Sequence, residues 1–190
     1  YDREFAFMIT ELWSAAHWRD AHIQVSNWTD YDPSFWLLNG RGYPDTTAPN
    51  GLRDASGNLT SADPRLQNQP NSSLVTCNTG ERVLLRMSNL GYQNHAMSVD
   101  NIDLQIVAKD ASLLKGRDGI SNYITTNTVD LGPGESRDII FVAPNTPGEY
   151  FLYDRKYSYL NNGGGPGYGG MMTKILVAPG TYPAQTVANA

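Results

Sequence analysis

Apolar and polar residues alternate over short stretches along most of this chain. The clearest case lies in residues 102–109, where Ile102, Leu104, Ile106 and Ala108 fall at every second position. A period of two is the period of a β-strand, and no window keeps a helical period for three turns. The sequence therefore predicts an all-β protein.

Several segments of this kind are separated by residues that favour turns, such as Gly132-Pro133-Gly134. The predicted strands are residues 5–10, 35–38, 83–88, 102–109, 137–142, 149–155 and 172–177. Many short strands joined by turns are typical of a β-sandwich or barrel. Residues 14–33 and 40–79 are rich in turn-forming residues and are expected to be long irregular loops.

The chain has 190 residues, which is the length of one domain. We expect that domain to occupy residues 1–178, and we interpret residues 179–190 as a C-terminal tail or interdomain linker. The chain starts without a methionine or an apolar signal region and closes on a bland segment, so we interpret it as a domain cut from a longer protein.

Charge and hydropathy exclude two classes of partner. There are 14 Lys+Arg against 19 Asp+Glu, with the basic residues scattered, so nucleic acid is not an expected partner. No apolar stretch approaches the roughly 18 residues that cross a bilayer, so no membrane span is expected. Cys77 is the single cysteine, so the sequence does not reveal the redox compartment or whether this thiol is free.

Two local patterns resemble parts of known binding sites. Residues 165–170 carry the glycine spacing of a dinucleotide fingerprint, but a predicted strand follows them where the fingerprint requires a helix, so a surface loop is favoured. His17 and His22 lie in the first long loop, yet two histidines fall short of the three or four ligands of a transition-metal site. We expect them to pack with the neighbouring aromatic residues.

The tryptophans allow a second interpretation of this loop. Exposed Trp13, Trp18, Trp28 and Trp36 would give a secreted β-sandwich that binds carbohydrate or another ligand, because aromatic rings stack on sugar faces. Aromatic residues of β-sandwiches more often lie in the core or at an interface. The loop is therefore first expected to form an apolar contact face.

Six segments, taken in order, resemble a cupredoxin domain of a multicopper oxidase of the laccase type. They are FWLLNGRGYPDT (35–46), GERVLLRMSN (80–89), NHAMSVD (94–100), LGPGESRD (131–138), GEYFLYDR (148–155) and GMM (170–172). The resemblance extends from the first predicted strand to about Val177 and implies a cupredoxin-like Greek-key β-sandwich with long loops.

The copper ligands of that family are mostly replaced in this chain. Of the family's His-x-x-His-x-His run, His95 alone remains, and the His-Cys-His run corresponds to Tyr153-Asp154-Arg155. Tyr159 falls where the second blue-copper histidine would lie, and Met171 falls near the axial methionine. The resemblance therefore implies vestigial copper-site positions at His95, Asp154, Tyr159 and Met171, with no catalytic, cofactor or metal site in this domain.

The resemblance further implies the copper-free middle domain of a three-domain, periplasmic or secreted oxidase. Such a domain would be inactive alone, would act as a scaffold and interface for neighbouring cupredoxin domains of the same chain, and would leave copper to the rest of the parent. At the former copper pocket, we expect His95 and Asp154 to lie close together, either paired directly or in a pocket filled by Met97, Met171 and tyrosines. Arg155 is excluded as a partner, because adjacent strand residues point to opposite faces.

Overall fold

The structure is a computed structural model that describes residues 1–50, 63–162 and 165–189. Twelve strands and one α-helix, α1 (Ser14–Ala21), make up its regular structure. The strands are β1 (Arg3–Leu12), β2 (Phe35–Leu38), β3 (Val75–Asn78), β4 (Arg82–Asn89), β5 (His95–Val99), β6 (Leu104–Lys109), β7 (Ser112–Leu113), β8 (Ile124–Thr126), β9 (Thr128–Leu131), β10 (Ser136–Val142), β11 (Gly148–Asp154) and β12 (Met172–Ala178).

The strands form two sheets that pack face to face. The first sheet has the order β2-β1-β4-β10-β6-β7, with β8 also paired to β6, and the second has the order β3-β12-β11-β5-β9. Most neighbours are antiparallel, while β1 with β4 and β3 with β12 are parallel pairs that join strands distant in sequence. This arrangement confirms the predicted all-β sandwich.

The core lies between the two sheets and consists of every second side chain of the central strands. Phe5, Leu85 and Ile139 come from the first sheet, and Leu152 and Ile175 come from the second; all are almost completely buried. Alternation places these residues on one face of each strand, which is why the period-two pattern located seven of the described strands. The pattern did not predict the short strands β3, β5, β7, β8 and β9.

Both predicted loops contain regular structure, so those two predictions were wrong in part. Residues 14–33 begin with α1, an eight-residue helix that buries Ala16, and two turns are too short to give a helical period over three turns. Residues 40–79 contain β3, in which Val75 and Cys77 are buried beside β12. Residues 51–62 of that loop lie outside the described residues.

Candidate functional site

The four residues that the resemblance singled out converge at one end of the sandwich. His95 begins β5 and Asp154 ends β11, while Tyr159 lies in the 3₁₀ turn Tyr157–Leu160 and Met171 directly precedes β12. All four are buried, with exposed fractions between 0% and 2%. The resemblance to the family thus singled out residues that lie up to 76 positions apart in sequence (171 minus 95) and meet in the fold.

His95 and Asp154 are joined directly. The distance from His95 Nδ1 to Asp154 Oδ2 is 2.7 Å, which is that of a charge-assisted hydrogen bond. The pair forms because β5 and β11 are neighbours in the second sheet, with Asp154 in register with Met97. Asp154 Oδ1 also accepts the backbone N–H of Lys156 at 2.7 Å, while the side chain of Arg155 is exposed.

A second carboxylate, Glu11, binds the other side of the same imidazole. His95 Nε2 lies 2.9 Å from Glu11 Oε1, and the side chains of His95 and Glu11 are fully buried. Sequence reasoning missed Glu11, which is 84 residues from His95. The one local feature that could have indicated it is an acidic residue between apolar neighbours at the end of β1, just before α1.

Glu11 accepts every hydrogen bond that its surroundings offer. The hydroxyl of Tyr31 and the backbone N–H groups of Tyr92 and Gln93 donate to its carboxylate, in addition to His95. Burial alone would raise the pKa of Glu11, but these donors outweigh burial and lower its pKa from 4.5 to about 2. Glu11 is therefore held as a carboxylate.

The environment of His95 favours its charged form. Burial lowers the pKa of an imidazole, but the hydrogen bonds and charges of Asp154 and Glu11 outweigh burial and hold the pKa of His95 above its usual 6.5. A doubly protonated ring donates one hydrogen bond from each nitrogen, which matches the two carboxylates that face it. The cluster therefore places the ring of His95 between two acidic side chains, and we call Glu11, His95 and Asp154 the histidine clamp.

Tyr159 and Met171 close the pocket beside the histidine clamp. The ring of Tyr159 lies 5.3 Å from that of His95 and stacks on Trp36 at 4.6 Å, while its hydroxyl accepts a hydrogen bond from Lys156 Nζ at 2.6 Å. The Met171 N–H donates to the Tyr159 carbonyl, and the Met171 carbonyl accepts from the Asp154 N–H, both at 3.0 Å. Backbone hydrogen bonds thus hold these residues together.

Glycine at position 170 is required for this closure. Gly170 has φ +61°, and a Cβ atom there would lie 2.0 Å from the Tyr159 carbonyl oxygen. Glycine adopts this conformation without strain, and only a residue without a Cβ atom permits so close an approach. The glycine run at residues 165–170 therefore has a structural role at its last residue, and β12 follows it as expected; residues 163–164 lie outside the described residues.

The other histidines and the tryptophans of the first loop do not join the clamp. His22 caps α1, stacks on Trp18 at 4.2 Å and bonds the Trp18 carbonyl through Nδ1, as expected for packing with aromatic neighbours. Trp18 and Trp28 are more than half exposed, while Trp13 is 7% exposed, so the expectation of an exposed Trp13 was wrong. Trp13 is buried because the rings of Trp28 and Tyr31 and the guanidinium of Arg19 cover it.

Cys77 is not part of the histidine clamp. It is a buried free thiol on β3, and burial together with the charge of Glu81 raises its pKa to about 12. A thiol with so high a pKa is neither a nucleophile nor a ready metal ligand near neutral pH. Across the described parts of the chain, no three His, Cys, Asp or Glu side chains are arranged to hold a metal ion.

Two solved structures share this fold. The blue copper oxidase of Nitrosomonas europaea superposes with a TM-score of 0.65 and 22% identity, covering 92% of this chain and 43% of that chain. The multicopper oxidase mgLAC gives a TM-score of 0.64 and 21% identity, covering 97% of this chain and 46% of that chain. The two-sheet sandwich is therefore a cupredoxin-like domain.

The sequence comparisons identify the family. The family model of multicopper oxidases matches residues 3–180. Laccase-5 of Arabidopsis thaliana is 27% identical over 148 residues, which is 76% of this chain but 23% of that protein, and Laccase-12 of the same plant is 34% identical over 90 residues. The chain belongs to the multicopper oxidase family and spans about a quarter of the length of the first of these relatives.

Proposed function

We propose that this chain is the copper-free middle cupredoxin domain of a larger multicopper oxidase and serves there as a scaffold and interdomain interface. The observation that carries this proposal is that both ring nitrogens of His95 are bonded to carboxylates. His95, Asp154, Tyr159 and Met171 are then vestigial copper-site positions, and the chain alone has no oxidase activity.

The residues present do not fit a blue-copper centre. Such a centre needs a thiolate and two neutral imidazoles, whose ring nitrogens offer lone pairs to the metal. The position of the thiolate holds Asp154, and the position of the second imidazole holds Tyr159. Both nitrogens of the one remaining imidazole lie within hydrogen-bond distance of an acidic side chain, so copper could bind to His95 only by displacing Asp154 or Glu11.

Copper retention by the purified chain tests this proposal. We expect elemental analysis after incubation with copper and desalting to find far less than one equivalent, with no intense blue absorption. The control is the double variant His17→Ala/His22→Ala, which removes the two exposed histidines on and beside α1 as a source of adventitious copper binding. One tightly held equivalent in this variant, lost again in His95→Gln, would contradict the copper-free assignment.

The interface role is supported by an apolar surface beside α1, which we call the aromatic face. Its side chains are Trp18, Ile23, Val25, Trp28 and Tyr92, with exposed fractions from 56% to 98%. Ile23 also has φ +57°, a strained conformation for a β-branched residue. A surface this apolar favours contact with another protein surface, and a neighbouring cupredoxin domain of the same parent is the partner proposed.

Substitutions in the parent enzyme test the interface. We expect Val25→Glu to lower the copper content and oxidase activity of the parent, because a buried charge would separate the domains that hold the metal. Ile120→Glu, at another exposed apolar position, is the matched control and should leave both unchanged. Equal copper content and activity for both variants and the unmodified parent would remove the aromatic face from the interface.

We also propose a periplasmic or secreted location for the parent. Membership of the multicopper oxidase family supports it. In the described segments no helix has the length and hydropathy to cross a bilayer. Cell fractionation of the source organism with an antibody to this domain would test the location, and recovery with a cytoplasmic marker enzyme would contradict it.

Carbohydrate binding is the second candidate function, and one observation favours it. A cavity of about 250 Å³ beside Trp28 is lined by His17, Asp20, Gln24 and Ser26, so an aromatic ring lies next to several hydrogen-bonding groups. A glycan array probed with the isolated chain and with Trp28→Ala is the test. Binding that is lost in the variant would favour this function over the interface role of the same surface.

A further inference from the structure

Among the residues that the structure describes, no strand pairs with one edge of the first half of β1. On one side it pairs with β4 from Arg3 to Ile9, but on the other side its pairing with β2 begins only at Ile9. The backbone groups of Glu4, Ala6 and Met8 therefore point outward along the edge that neither β4 nor β2 pairs. Such an edge is a template for pairing with a strand of another molecule.

Side-chain amides occupy that edge in place of a strand. Gln185 bonds both backbone groups of Glu4: its Oε1 accepts from the Glu4 N–H at 2.5 Å, and its Nε2 donates to the Glu4 carbonyl at 3.1 Å. Asn189 repeats this pattern at Ala6, where Oδ1 accepts from the N–H at 2.6 Å and Nδ2 donates to the carbonyl at 3.3 Å.

Further hydrogen bonds cover the same edge at Met8 and at Glu4. Asn39 Oδ1 accepts the Met8 N–H at 2.8 Å, and the Asn39 N–H donates to the Met8 carbonyl at 2.9 Å. The Asn189 N–H also donates to the Glu4 carbonyl at 3.0 Å. A primary amide has one acceptor oxygen and a donor NH₂ group in one plane, so it reproduces the hydrogen-bonding pattern of a neighbouring peptide group.

The start of the same segment is anchored at the opposite end of β1. Asn78 and Tyr182 exchange two hydrogen bonds, of 2.9 and 3.0 Å. Arg3, which is 3% exposed, donates to the carbonyl of Pro183 at 2.7 Å and forms an ion pair with Glu81. A buried guanidinium holds its partners firmly, so this anchor fixes where the segment begins.

We infer that residues 182–189 are an edge cap, which closes the outer edge of β1 and blocks pairing of that edge with a second copy of this chain. The sequence predicted only a tail or linker for this segment. The cap uses side chains rather than a strand, and side-chain amides that project sideways leave no new backbone edge behind them. This inference does not depend on copper or on the parent oxidase.

The test removes the side-chain amides of Gln185 and Asn189 and measures hydrogen exchange at the backbone N–H groups of β1. In Gln185→Ala/Asn189→Ala, we expect hydrogen exchange of the Glu4 and Ala6 N–H groups, measured by NMR, to accelerate by about tenfold or more, the change for loss of one hydrogen bond. Sedimentation should then show association that increases with protein concentration. Thr186→Ala, in the exposed part of the segment, is the matched control and should change neither result.

A milder variant guards against loss of folding. The single variant Asn189→Ala removes the acceptor of the Ala6 N–H but leaves both contacts of Gln185 with Glu4, so we expect faster exchange at Ala6 and unchanged exchange at Glu4. Unchanged protection of Glu4 and Ala6 in the double variant would overturn the inference. A monomer with fast exchange would also overturn it, since the edge would then need no cap.

Discussion

His95 and Asp154 are 59 residues apart in sequence, yet their side chains meet at 2.7 Å with almost no exposure to solvent. The pair joins adjacent strands of the second sheet, and Glu11 extends it to β1 of the first sheet. The histidine clamp therefore connects the two sheets through hydrogen bonds between ionisable side chains. Elsewhere the two sheets are joined by the apolar packing of the core.

Asp154→Asn tests the contribution of the clamp to stability. The substitution preserves shape but removes the charge that balances His95, and loss of one partner of a buried ion pair costs about 3–5 kcal/mol. We expect the free energy of unfolding, measured with urea, to fall by that amount. The control is Asp103→Asn, at an exposed position, which should change stability by less than about 0.5 kcal/mol.

Glu11 should make the free energy of unfolding decrease at acidic pH. Its folded pKa, about 2, lies below the unfolded value of 4.5, so its contribution is present above pH 4.5 and is lost as the pH falls toward 2. The shift corresponds to about 3 kcal/mol for a buried side chain. Urea unfolding between these pH values should show this loss in the natural chain and in Glu149→Gln, an exposed control, but not in Glu11→Gln.

His95 should produce the opposite dependence at higher pH. Its folded pKa is above the unfolded value of 6.5, so its contribution is complete below pH 6.5 and is lost as the pH rises through the folded pKa. NMR titration of the ring protons, assigned with His17→Ala and His22→Ala, should give a midpoint above 6.5 for His95. A midpoint at or below 6.5 would mean that burial outweighs the two carboxylates.

Trp13 and Trp28 should differ in their effect on folding. Trp13 is buried under other aromatic rings, so Trp13→Ala should lower the free energy of unfolding by about 3–5 kcal/mol. Trp28 is 59% exposed, so Trp28→Ala should cost markedly less. Thermal unfolding followed by circular dichroism would compare them, and equal losses would show that the exposed ring also holds the fold together.

Much of the fold was predictable because strand alternation is a local property. Residues 83–88 and 137–142 lie within β4 and β10, and Val83, Leu85 and Met87, which alternation placed on one face, are all buried. The helix α1 and the strands β3, β5, β7, β8 and β9 were missed because two helical turns, or two to five strand residues, give little periodicity to recognise. The burial of Trp13 was not predicted, because it depends on tertiary contacts with Trp28 and Tyr31 that the sequence does not reveal.

The sequence by itself determined the sandwich, because the alternation that marks a strand is a local pattern. It also determined the family resemblance, and through it the proximity of His95 to Asp154, because the order of the matching segments can be read from the sequence. Only the tertiary structure decided that Glu11 completes the histidine clamp and that Gln185 and Asn189 occupy the edge of β1. These contacts join residues 84 to 183 positions apart. They arise from the parallel pairing of β1 with β4 and from the course of the last residues, which no local pattern specifies.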